Sequence, residues 1–274
     1  MRIALIQMVS SQHLDQSLAA VERLLGDVTG KEVDAIFLPE NFAALGNQDP
    51  YQLGLQEQDS SGPIRSFLRE IASRTGSWIF AGTIPVASRI DGSSTEPGKV
   101  RAASLVLDGA GVEVARYDKM HMFDVDVADN HGSYRESNTF EHGNELRLIN
   151  SPCGRVGLSV CYDIRFSELY LSLLKQGAEL FAIPSAFTET TGKAHFELLM
   201  RARAVESFSF TVGACQGGVH DSGRRTFGHS MVVNPWGEVI AKAGIGEEVI
   251  FADIDLQELR NVRGRMPVLD QRRL

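Results

Sequence analysis

Arg155-Val156-Gly157-Leu158-Ser159-Val160-Cys161-Tyr162-Asp163 is the stretch from which the rest of the chain is read. Val156, Leu158 and Val160 alternate with small residues in the pattern of a buried strand, and Pro152 and Gly154 set that strand off from what precedes it. Phe166, Leu169, Tyr170, Leu173 and Leu174 follow at i, i+3, i+4, i+7 and i+8, which predicts a helix directly after the strand. Cys161 therefore falls at a strand-to-helix junction, the rim where ligands sit in open α/β sheets. Backbone N–H groups of the turn and of the helix start are expected to lower the pKa of such a thiol and to be able to hold an oxyanion. A free cysteine is more often a small buried hydrophobe, and the local pattern alone leaves both readings open.

Outward from this stretch further strand patterns recur, of which Val33 to Leu38 is a continuous apolar run. Ile3 to Val9, Val33 to Leu38, Trp78 to Gly82, Leu180 to Ile183, Ser209 to Cys215 and Val249 to Ile254 read as strands. Helices are expected over Leu14–Leu25, from Pro63 through Ile71, from Thr190 through Ala204 and over Leu256–Val262. Asp108-Gly109-Ala110-Gly111 and Asn234-Pro235-Trp236-Gly237 mark hairpins, and residues 88–100 an exposed turn or hairpin tip. Residues 43–62 and 124–145 read as loops, and a long irregular stretch in a compact domain is more often functional than idle. Strands and helices alternate with no linker, no low-complexity segment and no repeat, so residues 1–274 are expected to form a single α/β domain.

Composition bounds the partners. The formal net charge of −8 argues against nucleic acid or an anionic membrane as a main partner. No apolar run approaches a membrane span, and Met1 to Met8 reads as a first strand rather than a signal peptide. Three widely spaced cysteines make no disulfide framework and fit reduced thiols in a cytoplasmic setting.

Two further side chains share the position of Cys161. Glu40 follows the Val33–Leu38 strand beside Pro39, and Lys119 stands where the strand through Tyr117 runs out. A lone Glu in a turn is usually solvated and a lone Lys usually lies on the surface, so spacing does not select these two. Their chemistry is nevertheless coherent. A carboxylate can take the thiol proton and return it to a leaving amine, the thiolate can attack a carbonyl carbon, and an ammonium with the Tyr162 N–H can hold the oxyanion.

Three segments resemble the motifs of the nitrilase, or carbon–nitrogen hydrolase, superfamily. They are Leu38-Pro39-Glu40, Tyr117-Asp118-Lys119-Met120-His121 and Gly157-Leu158-Ser159-Val160-Cys161-Tyr162-Asp163, in the family's order and spacing, within a likeness that runs from Ile3 to Arg273. The resemblance implies a four-layer α-β-β-α sandwich that dimerises into an extended eight-layer one. It implies Glu40, Lys119 and Cys161 as catalytic residues and Glu136 as a second glutamate holding Lys119. It implies neither metal nor organic cofactor. Cys161 to Leu169, Thr190 to Glu197, Arg201 to Glu206 and Gly228 to Gly237 look like the Nit subgroup of amidases, which includes enzymes acting on 2-oxoglutaramate and on deaminated glutathione. Ala214, Gln216, Gly218, His220 and Arg225 lean to the second kind. Lys193 stands where that subgroup commonly has proline, and Phe196 where it has tryptophan.

An amide substrate carrying a carboxylate needs a cation, for which Arg165 and Arg225 are the candidates; Arg165 can equally pair with Glu168. Phe187 and Thr188 at the rim of the Leu180–Ile183 strand, and His195 on the following helix, complete the candidate substrate-binding set. His121, His195, His220 and His229 show no metal-ligand spacing. Two rival readings remain at this level: a Cys-His thiol hydrolase with His195 as base, and a non-catalytic binding module on the same fold.

Overall fold

The strand that ends at Leu158 lies in the middle of a sheet, and a second sheet is stacked against it. The computed structural model describes residues 1–129 and 132–273. The first sheet runs in the order Glu248–Asp253, Arg2–Gln7, Ala35–Leu38, Trp78–Ala81, Val100–Leu107, Ile84–Val86. Strands Glu113–Asp118 and Phe140–Glu141 also pair with Val100–Leu107. The second runs Leu148–Ser151, Gly154–Leu158, Leu180–Ala182, Phe210–Gly213, Met231–Val233, Val239–Lys242. Parallel pairs lie at the centre of each sheet and antiparallel pairs towards the edges, except that Phe140–Glu141 runs parallel to Val100–Leu107.

Period-two alternation sorts the core into two bodies. Ile3, Leu5, Phe37, Phe80 and Val106 of the first sheet pack with Val156, Leu158, Leu180 and Phe210 of the second, forming the layer between the sheets. Their neighbours Ala4, Ile6, Ile36, Leu38 and Ile79 face the other way, onto helices Leu14–Leu25 and Pro63–Thr75. Helices Ser167–Lys175 and Glu189–Ser207 cover the outer face of the second sheet through Leu173, Phe196, Met200 and Ala204. Gly157 permits that close approach, because a Cβ there would meet Leu173 at 2.9 Å. The result is the four-layer α-β-β-α sandwich. Among the described residues no helix is long and apolar enough to cross a membrane.

Several local expectations change. Residues 43–62 contain a helix, Pro50–Gln56, opened by Pro50 at its first turn and capped by the Asp49 side chain. Residues 124–145 are not a plain loop: Asp124–Asp126 pairs with Ser133–Arg135 as a hairpin, followed by a 3₁₀ turn Glu136–Asn138 and the strand Phe140–Glu141. Residues 130 and 131 of that segment lie outside the described residues. The helix after Cys161 does not begin at once. A 3₁₀ turn, Cys161–Arg165, comes first, and the α-helix starts at Ser167.

Candidate active site

Glu40 sits in a turn fixed from several sides. It follows strand Ala35–Leu38, and Asn41 after it adopts a left-handed backbone, φ 53°. The Asn41 N–H donates to Thr83 Oγ1 at 2.9 Å, and the Ser10 hydroxyl donates to the Phe42 carbonyl at 2.8 Å. Gly82, φ 40°, lies against Pro39, where a Cβ would collide with the Pro39 carbonyl. From the far end of the chain, the fully buried Gln216 amide donates to the Glu40 carbonyl at 3.1 Å and to Ser10 Oγ at 2.7 Å. The turn is therefore set by packing and backbone bonding, which leaves the Glu40 carboxylate free for the site.

Lys119 leaves strand Glu113–Asp118 and is 1 % exposed. Its ammonium donates to Glu40 Oε1 at 2.8 Å and to both oxygens of Glu136 at 2.9 Å. Glu136 is itself held by the Phe123 N–H at 2.6 Å. One cation between two carboxylates in a dry setting is a strong, directional arrangement. Burial alone pulls the Lys119 ammonium down. The Glu136 and Glu40 charges outweigh it and hold the ammonium well above the ordinary lysine range. Burial raises the Glu136 carboxyl despite the adjacent ammonium.

Cys161 has a left-handed backbone, φ 46°, and its N–H donates to the Pro184 carbonyl at 2.9 Å. Strain of this kind in a non-glycine residue persists only where the surroundings impose it. Here the buried Asp163 does so. It accepts from the Val160 N–H at 2.9 Å, the His121 N–H at 3.0 Å and the Tyr117 hydroxyl at 2.7 Å, and contacts His121 Nδ1 at 2.6 Å. His121 in turn stacks on Phe166 with centroids 3.7 Å apart. Asp163 thereby joins the Lys119 segment to the Cys161 turn.

The Glu40 carboxylate and the Ala186 backbone both act electrostatically on the Cys161 thiol. Burial pushes the thiol well above its usual range, and the Glu40 charge adds to this; Lys119 and the Ala186 N–H pull the other way but do not prevail. The lowered pKa expected from the sequence is corrected. A short 3₁₀ turn supplies less dipole than a full helix, and the site is dry with a carboxylate beside the sulfur. The resting group is a neutral thiol, which needs a base to become a nucleophile.

These groups open onto one cavity of about 300 Å³. Glu40, Lys119, Glu136 and Cys161 lie on its floor, with Phe123, Tyr134, Tyr162, Phe187, Thr191 and Arg224 among its walls. Among the described residues no group of three His, Cys, Asp or Glu side chains is arranged to hold a metal ion.

The carbon–nitrogen hydrolase family model matches residues 2–264. The chain belongs to the carbon–nitrogen hydrolase family. A deaminated glutathione amidase of Yersinia enterocolitica is 39% identical over 271 residues, covering 99% of this chain and 92% of that protein. An omega-amidase NIT2 of Danio rerio is 35% identical over 275 residues, covering 99% and 94%. The crystal structure of the Caenorhabditis elegans NitFhit protein superposes with a TM-score of 0.88 at 35% identity, covering 99% of this chain and 65% of that one. The present chain is thus a hydrolase acting on carbon–nitrogen bonds, on the amidase side of the family.

Of the substrate-binding candidates read from the sequence, the structure brings Phe187 into the hydrolase cavity and leaves four outside it. Arg165 is behind the wall: its guanidinium lies 5.6 Å from the rings of both Tyr162 and Phe187, and Nη2 is 3.2 Å from His195 Nδ1. The alternative pairing with Glu168 is not among its contacts. His195 is exposed on helix Glu189–Ser207, away from the thiol. Thr188 is buried as the cap of that helix, and its hydroxyl meets Thr191 Oγ1 at 2.8 Å, so Thr191 is the one that faces the cavity. Arg225 is at the surface, paired with Glu189 at 2.6 Å. Its neighbour Arg224 lines the cavity instead, because adjacent residues at the start of strand Arg225–Phe227 face opposite ways. Asp163 was available as a signal inside the Cys-Tyr-Asp motif; its partners 42 and 46 residues away were not.

Proposed function

We propose that this hydrolase cleaves a linear amide through a thioester on Cys161, with Glu40 as general base and acid and Lys119 as the oxyanion cation. The observation that carries this reading is that the Glu40 carboxylate accepts from the Lys119 ammonium at 2.8 Å and lines one cavity with it and with the Cys161 thiol. Glu40 takes the thiol proton as the sulfur attacks the amide carbon. The oxyanion is held by the Lys119 ammonium and by the Tyr162 N–H, which makes no hydrogen bond among the described residues. Glu40 passes the proton to the nitrogen, the C–N bond breaks and the amine leaves. Water, deprotonated by Glu40, then attacks the thioester. The acid departs and the thiol regains its proton. Glu136 keeps Lys119 charged and aimed.

The substrate is read as a deaminated-glutathione-type amide, supported by the Yersinia relative of that name. An ω-amide of the 2-oxoglutaramate type is the second reading, supported by the omega-amidase relative. Amine and ammonia release from both compounds tests the choice. Preferential cleavage of deaminated glutathione is expected, and a higher kcat/KM on the ω-amide decides for the second. The Cys-His alternative has little support, since His195 is exposed and outside the cavity.

The same reading takes residues 1–274 as a single domain, supported by the pairing of Glu248–Asp253 with Arg2–Gln7. It takes the chain as a homodimer, supported by the exposed apolar Leu198 and Ile245, and as cytoplasmic, supported by three free thiols. Light scattering on the purified chain tests the dimer.

A further inference from the structure

Three cations line the cavity, and they differ in what surrounds them. Lys119 is neutralised by Glu40 and Glu136. Arg135 is paired with Asp126 and donates to the Val125 and Tyr134 carbonyls. Arg224 has no carboxylate within ion-pair reach among the described residues. It makes one hydrogen bond, from Nη2 to the Ala186 carbonyl at 2.9 Å, and its buried Nε has no acceptor there. Its guanidinium lies 5.6 Å from the Tyr134 ring, which fixes its plane without neutralising it. A half-buried guanidinium with most of its five donors unused is an incomplete site, because buried donors normally find partners.

The position of Arg224 relates it to the chemistry. Ala186 lines the cavity together with Cys161 and offers its carbonyl to Arg224. One residue and one hydrogen bond therefore hold the guanidinium at the cavity that the nucleophile also lines. The two groups thus face one cavity of about 300 Å³, with room between them for a short aliphatic chain. We propose that Arg224 is the specificity-determining residue of this enzyme, binding a carboxylate a few carbons from the scissile carbonyl, in the acyl half of the substrate. A planar fork suits a carboxylate in two-point contact, and the Ala186 tether holds that fork at the cavity. The inference rests on the amidase reading for its kinetic consequence, and on the cavity alone for its binding consequence.

The test compares glutaramate, the monoamide of a five-carbon dicarboxylic acid, with pentanamide, its neutral counterpart, in the wild type, Arg224→Met and Arg224→Lys. The ratio of the two kcat/KM values is expected to fall about 10–100-fold in Arg224→Met, the effect of losing a charge-assisted hydrogen bond, and by less in Arg224→Lys. Pentanamide turnover in the same sample reports a folded enzyme. An equal loss on both amides overturns the proposal, since that is the behaviour of a merely structural arginine. Glutarate binding by titration calorimetry is the second arm. Its Kd is expected to weaken at least tenfold in Arg224→Met, and unchanged binding overturns the proposal. If no amide is turned over but glutarate binding depends on Arg224, the amidase reading fails and the carboxylate site stands.

Discussion

Tyr117 and Asp163 meet in the core, the Tyr117 hydroxyl donating to Asp163 Oδ2 at 2.7 Å with neither residue exposed. Burial and the Asp163 charge hold the Tyr117 phenol well above its ordinary range, so it stays a donor. This contact fastens the strand that delivers Lys119 to the turn that carries Cys161, 42 residues further along the chain. Tyr117→Phe removes one donor from a buried carboxylate and is expected to cost about 1.5–3 kcal/mol. Urea unfolding checks it: the midpoint should fall with an unchanged slope.

The two neighbours of the thiol act on it with opposite sign. Glu40 raises the Cys161 pKa and Lys119 lowers it. Glu40→Gln is therefore expected to move the pH midpoint of Cys161 alkylation by iodoacetamide downward, and Lys119→Gln to move it upward, while both abolish amide hydrolysis. Peptide mapping separates Cys161 from Cys153, whose buried thiol is pushed up to about 12. A shift of the same sign in both variants contradicts the electrostatic assignment.

Glu136 acts through Lys119. Its carboxylate is a main reason the ammonium stays well above the ordinary lysine range, so Glu136→Gln lowers the Lys119 pKa. In the proposed mechanism the protonated lysine is the active form, and the alkaline limb of kcat/KM is therefore expected to move to lower pH. The rate at neutral pH should drop on the order of 10²-fold, as when an oxyanion donor is lost. An unmoved alkaline limb would separate Glu136 from the oxyanion cation.

Gln216 holds the Glu40 turn from behind, through the Glu40 carbonyl and Ser10. Gln216→Leu strands those buried groups, with an expected cost of about 1–3 kcal/mol. Since the amide touches the turn and not the cavity, the kinetic loss should fall on kcat and leave KM nearly unchanged.

Much of this was legible in the sequence because it is periodic. Val156, Leu158 and Val160 announce their strand, while the run Ile3 to Ile6 announces a strand but not that its two faces belong to different layers. Cys161 is legible as a junction residue, but Glu40 and Lys119 are chosen by family resemblance, since nothing local distinguishes them from other Glu and Lys residues. What was not legible depends on distance in sequence or on facing. Arg224 and Arg225 are neighbours of identical chemistry, and only the start of the short strand Arg225–Phe227 decides which of them reaches the cavity. The raised Cys161 pKa is likewise a property of burial and of a carboxylate more than a hundred residues away in the chain.

Intact mass spectrometry of the enzyme, acid-quenched during turnover of deaminated glutathione, tests the central claim most directly. The wild type is expected to carry the acyl half of the substrate as a thioester mapped to Cys161; Cys161→Ala should carry none, and Glu40→Gln should fail to accumulate it. An acyl adduct that survives in Cys161→Ala, or wild-type turnover by Glu40→Gln, would contradict it.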